Sequence, residues 1–459
     1  MIKLLHSLRS IVTNALLGCD AYVLSSEAPV AYKAAAYLLK GLLGARVQVC
    51  DGTADEVEIN AAIASGYHIL LGSGTFTVAA TASLSNKENV WLQGSGPGVT
   101  TIKVAADAQV NAIECIATAA KYRVTISDLY IDGNKGNITQ GASQYVQNGI
   151  FLRGNGGVIY SAVIRNVYSY YNCWHGILVV GSVQRAVIQN VHAVSNGDTD
   201  GSGIRLEAQS WIVTGCVAAQ NGDWGIYQEG TCYGGIVSNN YCDANTDGGI
   251  YLACTGTSLP TRVVVIGNRV YGTSADGILL LGATNSVVVG NVLGGGLTRG
   301  IGVYSAASDA SSSGILVTGN VISGCTTGVR LYDTGTGVSA DVLAQGNLFS
   351  GNTANLSVSL AVGATYRVSN NLGLVTESSG LATILSGATS VVVTHGLGIT
   401  PSLQDIQVMA AENSTNDAGP LYVSTITSTQ FTINCRADPG ASNLDVVWQA
   451  SKNRLITVA

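Results

Sequence analysis

The chain has 459 residues, a formal charge of −6, 11% charged residues and 57 glycines. It is too apolar for a disordered chain and lacks the period of collagen. No stretch clusters Lys and Arg, which excludes a nucleic-acid groove and leaves neither DNA nor RNA as an expected partner.

In chain order, residues 1–18 place Ile2, Leu5, Leu8, Ile11, Val12 and Ala15 close to helical spacing. Lys3, His6 and Arg9 interrupt them too early for a signal-peptide core or a membrane span. An amphipathic helix is expected, packed on its own domain or docked on a partner or a neighbouring subunit. Thr53 followed by Glu56 has the spacing of a capping box, which predicts a helix over Asp55–Ala64. Beyond residue 66, Val, Ile, Thr, Ser, Gly and Asn dominate, so an all-β body of short strands follows. Ten cysteines, among them Cys232 and Cys254, are scattered without a CxxC pair or a His/Cys cluster at zinc spacing. They read as free thiols, which fits assembly in a reducing host cytoplasm.

From Asn148 a glycine followed by Ile or Val recurs at Gly149, Gly176, Gly203, Gly225, Gly249, Gly277, Gly300 and Gly328, in steps of 27, 27, 22, 24, 28, 23 and 28 residues. A second marker interleaves with it at Asn166, Asn190, Asn240, Asn268, Asn291, Asn320 and Asn347, which predicts two strand-and-turn events per repeat. Periods this short without helical patterning predict a right-handed parallel β-helix, a solenoid of stacked coils. Equivalent residues then lie about 4.8 Å apart, inward ones as aliphatic ladders and outward ones as columns. The asparagines read as a stack of amides at a turn. The open first coil needs a cap, and the Asp55–Ala64 helix supplies one.

Several stretches carry a likeness. Asp51-Gly52-Thr53-Ala54-Asp55, Ala61-Ala62-Ile63, Gly72-Ser73-Gly74-Thr75-Phe76 and Val90-Trp91-Leu92-Gln93-Gly94-Ser95-Gly96 together resemble the entry to the pectate-lyase-like β-helix superfamily. The likeness covers about residues 50–105, and the repeat extends it to about 370. It implies the fold, and it spans lyases, hydrolases and non-catalytic phage tailspikes. Near the other end, Thr394-His395-Gly396-Leu397-Gly398, Thr400-Pro401, Asp438-Pro439-Gly440 and Val446-Val447-Trp448-Gln449-Ala450 resemble a small β domain that ends many phage tail-fibre proteins. That likeness implies trimerisation or receptor contact. The plain alternative is a cap for the solenoid.

Register directs the search for chemistry. Two residues after each marker glycine the outward column reads Phe151, Leu178, Arg205, Tyr227, Tyr251, Leu279, Gly302, Arg330, and four residues after it reads Arg153, Val180, Glu207, Glu229, Ala253, Leu281, Tyr304, Tyr332. Polarity concentrates between Arg205 and Tyr251. Glu207 and Glu229 occupy one position on adjacent coils, about 5 Å apart, which raises one pKa and suits retaining glycoside hydrolysis. Asp223, from the turn that enters these strands, joins them as a candidate catalytic residue. Tyr227, Tyr251 and Trp224 offer flat faces to sugar rings, and Asp198, Asp200 and Asp247 are candidate calcium ligands. The superfamily's usual calcium-dependent elimination needs a basic residue, for which Arg205 is the candidate. His175 and His192 read as turn and surface residues. Outward Leu178, Leu279 and Leu281 suggest a face covered by other subunits, hence a homotrimer.

The expected organisation is an N-terminal helical attachment or capping region (1–49), a β-helix body (50–375) and a C-terminal β domain (376–459). The leading function is a tailspike- or tail-fibre-like protein of a virion tail, or another extracellular protein, that binds a polysaccharide or cell-surface glycan and depolymerises it or only holds it. The alternatives are a stand-alone polysaccharide lyase or glycoside hydrolase, and a structural fibre subunit without ligand.

Overall fold

The computed structural model describes residue 9 and residues 19–230, 234–253, 262–272, 276–306, 311–411, 417–452 and 456–458. Apart from Arg9, the amphipathic helix expected over residues 1–18 lies outside the described residues, as do Cys232 and Cys254.

A parallel sheet already begins N-terminal to residue 50. Val47–Val49 pairs with Ala21–Leu24, which pairs in turn with His68–Leu71. The Val30–Leu43 helix covers this first layer, burying Ala35, Ala36 and Leu39 against Tyr22, Leu24 and Val47. The expected second helix spans Glu56–Ser65 and buries Ile59, Ala62 and Ile63 in the solenoid core. The capping box does not form, because the acidic groups serve other donors. Asp51 accepts from Thr53 N (2.9 Å), Asp55 from Gly52 N (2.9 Å) and Thr77 N (2.7 Å), and Glu56 from Ala79 N (3.0 Å). Asp55 and Glu56 therefore tie the helix to the first coil rather than to its own first turn.

Each coil contains three short strands, not two. Ile177–Gln184, Val187–Gln189 and His192–Val194 make one coil, and each pairs in parallel with its equivalent in the next: Ile177 with Ile204, Val187 with Ile212, His192 with Val217. The second and third strands are parted by a tight turn whose left-handed residue is Asn190 (φ 52°), Gly215 (φ 65°) or Gly267 (φ 66°), a conformation that Gly and Asn adopt at least cost. Inward Ile150, Ile177, Ile204, Ile226, Ile250, Ile278 and Ile301 are all fully buried and stack in register. Each contributes about 1.5–3 kcal/mol on leaving water, so stability resides in the stack more than in any one coil.

The amide stack forms. Asn240, Asn268, Asn291, Asn320 and Asn347 each donate Nδ2 to the Oδ1 of the next, the last acceptor being Asn371, at 2.9 Å. Each Nδ2 also donates to a carbonyl of the preceding coil, so these buried amides are satisfied on both sides. Asn166 and Asn190 stand outside it. They are the left-handed turn residues, one position earlier, where later coils place Gly267 or Gly290. A second stack of Asn172, Asn196, Asn221 and Asn245, at 2.7–3.0 Å, was not anticipated; its signal is an asparagine every 24 or 25 residues.

Beyond the solenoid, Glu377–Ile384, Leu444–Ser451 and Ile406–Ala410 form one antiparallel sheet, and Ser390–Thr394, Gln430–Asn434 and Tyr422–Ser424 another. They enclose a separate core around Phe431, Ile433, Val446 and Trp448. Ile456–Thr457 then returns to pair antiparallel with Thr365–Ser369, covering the last edge of the solenoid sheet.

Candidate functional site

The outward column aligns as the period predicted: Leu178 pairs with Arg205, Arg205 with Tyr227, Tyr227 with Tyr251, and Tyr251 with Leu279. What the column exposes differs at its N-terminal end. Phe151, Leu178 and Val180 are buried together beside Ile116, with the Tyr145 ring 6.0 Å from that of Phe151. Leu281 is likewise buried. The chain covers Leu178 and Leu281 itself, and Leu279 alone of the three stays half-buried, so the column is too little exposed to argue for a trimer.

Arg205 is the centre of the polar coils. Its Nη2 donates to Glu229 at 2.7 Å and to Glu207 at 3.4 Å, and its guanidinium lies 4.8 Å over the Tyr227 ring. A cation so held is a counter-charge for two stacked carboxylates and a poor proton acceptor, in contrast to the base expected of it. Burial raises the Glu207 pKa, Arg205 opposes that shift and the Glu229 charge adds to it. The pair of acids is therefore adjacent, as expected, but bridged.

Asp223 and Asp247 form a second acidic pair on the turns entering these strands. Burial pushes Asp223 up to about 6, and Asp247, hydrogen-bonded to it, pushes the same way; Ser202 Oγ, donating at 2.6 Å, opposes both. Asp223 thus holds a proton to higher pH than an ordinary carboxyl group. Asp198 turns to Lys135 Nζ (3.0 Å), and exposed Asp200 accepts from Thr199 Oγ1. Among the described residues, the only group of three His, Cys, Asp or Glu ligand atoms close enough to share an ion is Cys50, Asp55 and Glu58. Asp198, Asp200 and Asp247 do not build such a cradle.

Tyr227 and Tyr251 stack 5.1 Å apart at 7°, a half-buried aromatic face beside the bridged glutamates. Trp224, expected as a third platform, is buried. Its indole crosses Gly248, where a Cβ would come within 2.1 Å of the ring, and it packs 4.8 Å from Tyr251. It supports Tyr251 from below.

His175 is fully buried, not a surface residue. It follows Asn148 in its column: Asn148 Oδ1 accepts from His175 N, and His175 Nδ1 accepts from Ser202 N (2.9 Å). Since a backbone N–H can only donate, Nε2 carries the ring proton, and it has no partner among the described residues. Burial and the Arg205 charge lower this histidine to about 3. His192 stacks on Tyr168 at 4.1 Å. The eight described cysteines are buried, and none of them forms a disulfide with another.

A family model described as a right-handed beta helix region matches residues 111–293, and one described as periplasmic copper-binding protein (NosD) matches residues 230–380. Residues 230–380 contain neither His nor Met, so the second match brings no imidazole or thioether ligand for copper. No curated protein matches. Among solved structures, the mannuronan C-5 epimerase AlgE4 A-module of Azotobacter vinelandii is similar, with a TM-score of 0.54 and 17% identity over 69% of this chain and 96% of that one. The AlgE6 A-module of the same organism gives 0.52 and 18% over 70% and 95%. The N-terminal fragment of bacteriophage phi29 gene product 12 gives 0.50 and 13% over 70% and 64%. Identities this low speak for the fold alone, and that fold, a right-handed parallel β-helix, is the one the stacked coils and the family model over residues 111–293 describe.

Proposed function

We propose that the protein is tailspike- or tail-fibre-like and holds a surface glycan on the outward face of the coils between Arg205 and Ala253. One observation carries this reading. The stacked Tyr227 and Tyr251 rings lie beside a charged group, Arg205 with Glu207 and Glu229, on a regular sheet face. A flat aromatic surface takes the apolar face of a sugar ring, and the flanking donors and acceptors take its hydroxyls. Two fold neighbours are epimerases of mannuronan, a polysaccharide, and a third comes from a bacteriophage, in keeping with a virion tail or other extracellular setting. On this reading residues 1–49 attach or cap, 50–375 hold the glycan, and 376–459 oligomerise the chain as a homotrimer or contact a receptor.

Cleavage is the second reading, favoured by Asp223. A carboxyl group with a pKa of about 6 is suited to protonate a leaving oxygen near neutral pH. A panel of bacterial capsules and acidic polysaccharides, assayed for retention, reducing ends and unsaturated-uronate absorbance, separates the two. Binding lost in Tyr227→Ala without product from the parent supports the binder; product lost in Asp223→Asn supports the enzyme. A parent that neither retains nor cleaves any glycan of the panel leaves the structural fibre. Light scattering that finds a stable monomer at micromolar concentration removes the trimeric arrangement.

A further inference from the structure

The same two columns carry a second cluster, four to five coils further on. Glu229 pairs with Ala253, Ala253 with Leu281, Leu281 with Tyr304 and Tyr304 with Tyr332. Alongside, Leu279 pairs with Gly302 and Gly302 with Arg330. Tyr304 and Tyr332 stack 5.2 Å apart at 7°, repeating the geometry of Tyr227 and Tyr251. Tyr304 is fixed by a 2.9 Å hydrogen bond to Thr334 Oγ1. Ala253 and Leu281 form a buried floor against which Tyr227, Tyr251 and Tyr304 all pack, so the two aromatic pairs belong to one surface.

The arginines at the two ends differ. Arg205 is held by two carboxylates through Nη2, although its Nε–H, like that of Arg330, is buried without an acceptor among the described residues. Arg330 lies 4.4 Å over the Tyr332 ring, its Nε–H is buried without an acceptor, and among the described residues no protein group accepts from its guanidinium. The nearby carboxylates are engaged elsewhere. Buried Asp276 accepts its hydrogen bond from Arg299 Nε and feels the Arg330 charge only through space, and Asp333 accepts from Ser339 N, Ser339 Oγ and Ala361 N. The preceding position in the column is a glycine, so no side chain there faces the guanidinium. A planar fork with five donors and no acceptor, braced on a tyrosine, is a recognition element for a carboxylate.

We propose that Arg330, with Tyr304 and Tyr332, is a distal subsite for a carboxylate-bearing sugar of the same glycan. It rests on the glycan-binding reading and deepens it. Counting coils at about 4.8 Å, Tyr332 stands roughly 19 Å from Glu229 and Arg330 roughly 24 Å from Arg205. The ligand is then an acidic oligosaccharide long enough to bridge both aromatic pairs, with its acidic sugar seated at the Arg330 end.

The test uses the full chain, a ladder of oligogalacturonides, the same ladder methyl-esterified, and neutral glucan oligosaccharides as probes. The long acidic probes should bind at least about tenfold more tightly than their esters, the effect of one charge-assisted contact. Arg330→Gln should bring them down to the level of the esters and leave the esters unchanged. Arg330→Lys, which keeps the charge but not the fork, should fall between and guards against a folding defect in the glutamine variant. Arg330→Gln with acidic affinity within twofold of the parent, while Tyr227→Ala still abolishes binding, overturns the subsite and leaves the proposed function standing. Retention of neutral probes alone overturns the subsite in the same way. A parent that retains no probe overturns both.

Discussion

The Asn240–Asn371 stack and the Glu207–Glu229 pair both repeat one residue type at equivalent positions of successive coils, and the coils treat them differently. An amide has a donor and an acceptor, so each asparagine completes its neighbour head to tail, in the buried turn and without help. A carboxylate only accepts. Two stacked ones repel, and here they stand because Arg205 inserts a cation between them at an outward, half-buried position. Repetition inside a solenoid is thus self-supporting when the group is self-complementary. Repetition of a single charge on its surface has to be maintained by something else, which marks that surface for attention.

Exchanging oxygen for nitrogen in each stack tests the comparison. The largest effect belongs to Asn291→Asp, which is isosteric. Asn291 donates to Asn320 Oδ1 (2.9 Å) and to Val265 O (3.0 Å), and a carboxylate can donate to neither. It would also bury a charge among amides at a position with no exposure. A loss of about 3 kcal/mol or more is expected, read as a lowered chemical-denaturation midpoint. A midpoint unchanged from the parent would mean that the stack is decoration.

His175 lies between the two cases, a titratable ring in an amide position. Its folded pKa is about 3. In the unfolded chain it titrates near 6.5. Between these values the unfolded state binds a proton that the folded state refuses, so acidification destabilises the protein, by about 2 kcal/mol at pH 5. Asp223 has the opposite sign: raised to about 6, it keeps a proton that the unfolded chain releases, so its contribution is fully present below its unfolded pKa near 3.9 and is lost as pH rises through 6. His175→Asn repeats the residue that precedes it in the column, Asn148, whose Oδ1 already accepts the next backbone N–H. The variant should lose less stability than the parent between pH 7 and pH 5, by thermal melting at both pH values. An unaltered difference would show that the ring is protonated in the folded state.

These residues also show what a single sequence reveals. The period fixed which residues share a column, because parallel register carries every coil's residue onto the next; Arg205, Tyr227 and Tyr251 align as read. It could not show what covers a column. Leu178 is buried by packing with Phe151, Val180 and Ile116, contacts set by the chain's three-dimensional path and invisible to spacing. Nor could it show that one arginine lies between two glutamates, since side-chain direction is not in the period. The strands Ala21–Leu24 and Val47–Val49 are too short to stand out from a region read as helical. The free fork of Arg330 was in view as a column member, but its lack of an acceptor is a fact of geometry alone.

The smallest effect on stability, and the sharpest on function, belongs to the mirror exchange, Glu229→Gln. The amide oxygen can still accept from Arg205 Nη2, the position is about a third exposed, and no buried partner is abandoned. A change of less than about 1 kcal/mol is therefore expected, in contrast to Asn291→Asp. Glu207 loses the neighbouring negative charge that raises its pKa, so it should ionise more readily, and Arg205 is left to one carboxylate. If the face only holds glycan, binding should shift modestly and no turnover exists to lose. If Glu229 takes part in cleavage, the rate should fall at least about a hundredfold with binding retained. A melting loss as large as that of Asn291→Asp would dissolve the distinction between the two stacks, because it would mean that the outward carboxylates, like the buried amides, are there to hold the coils together.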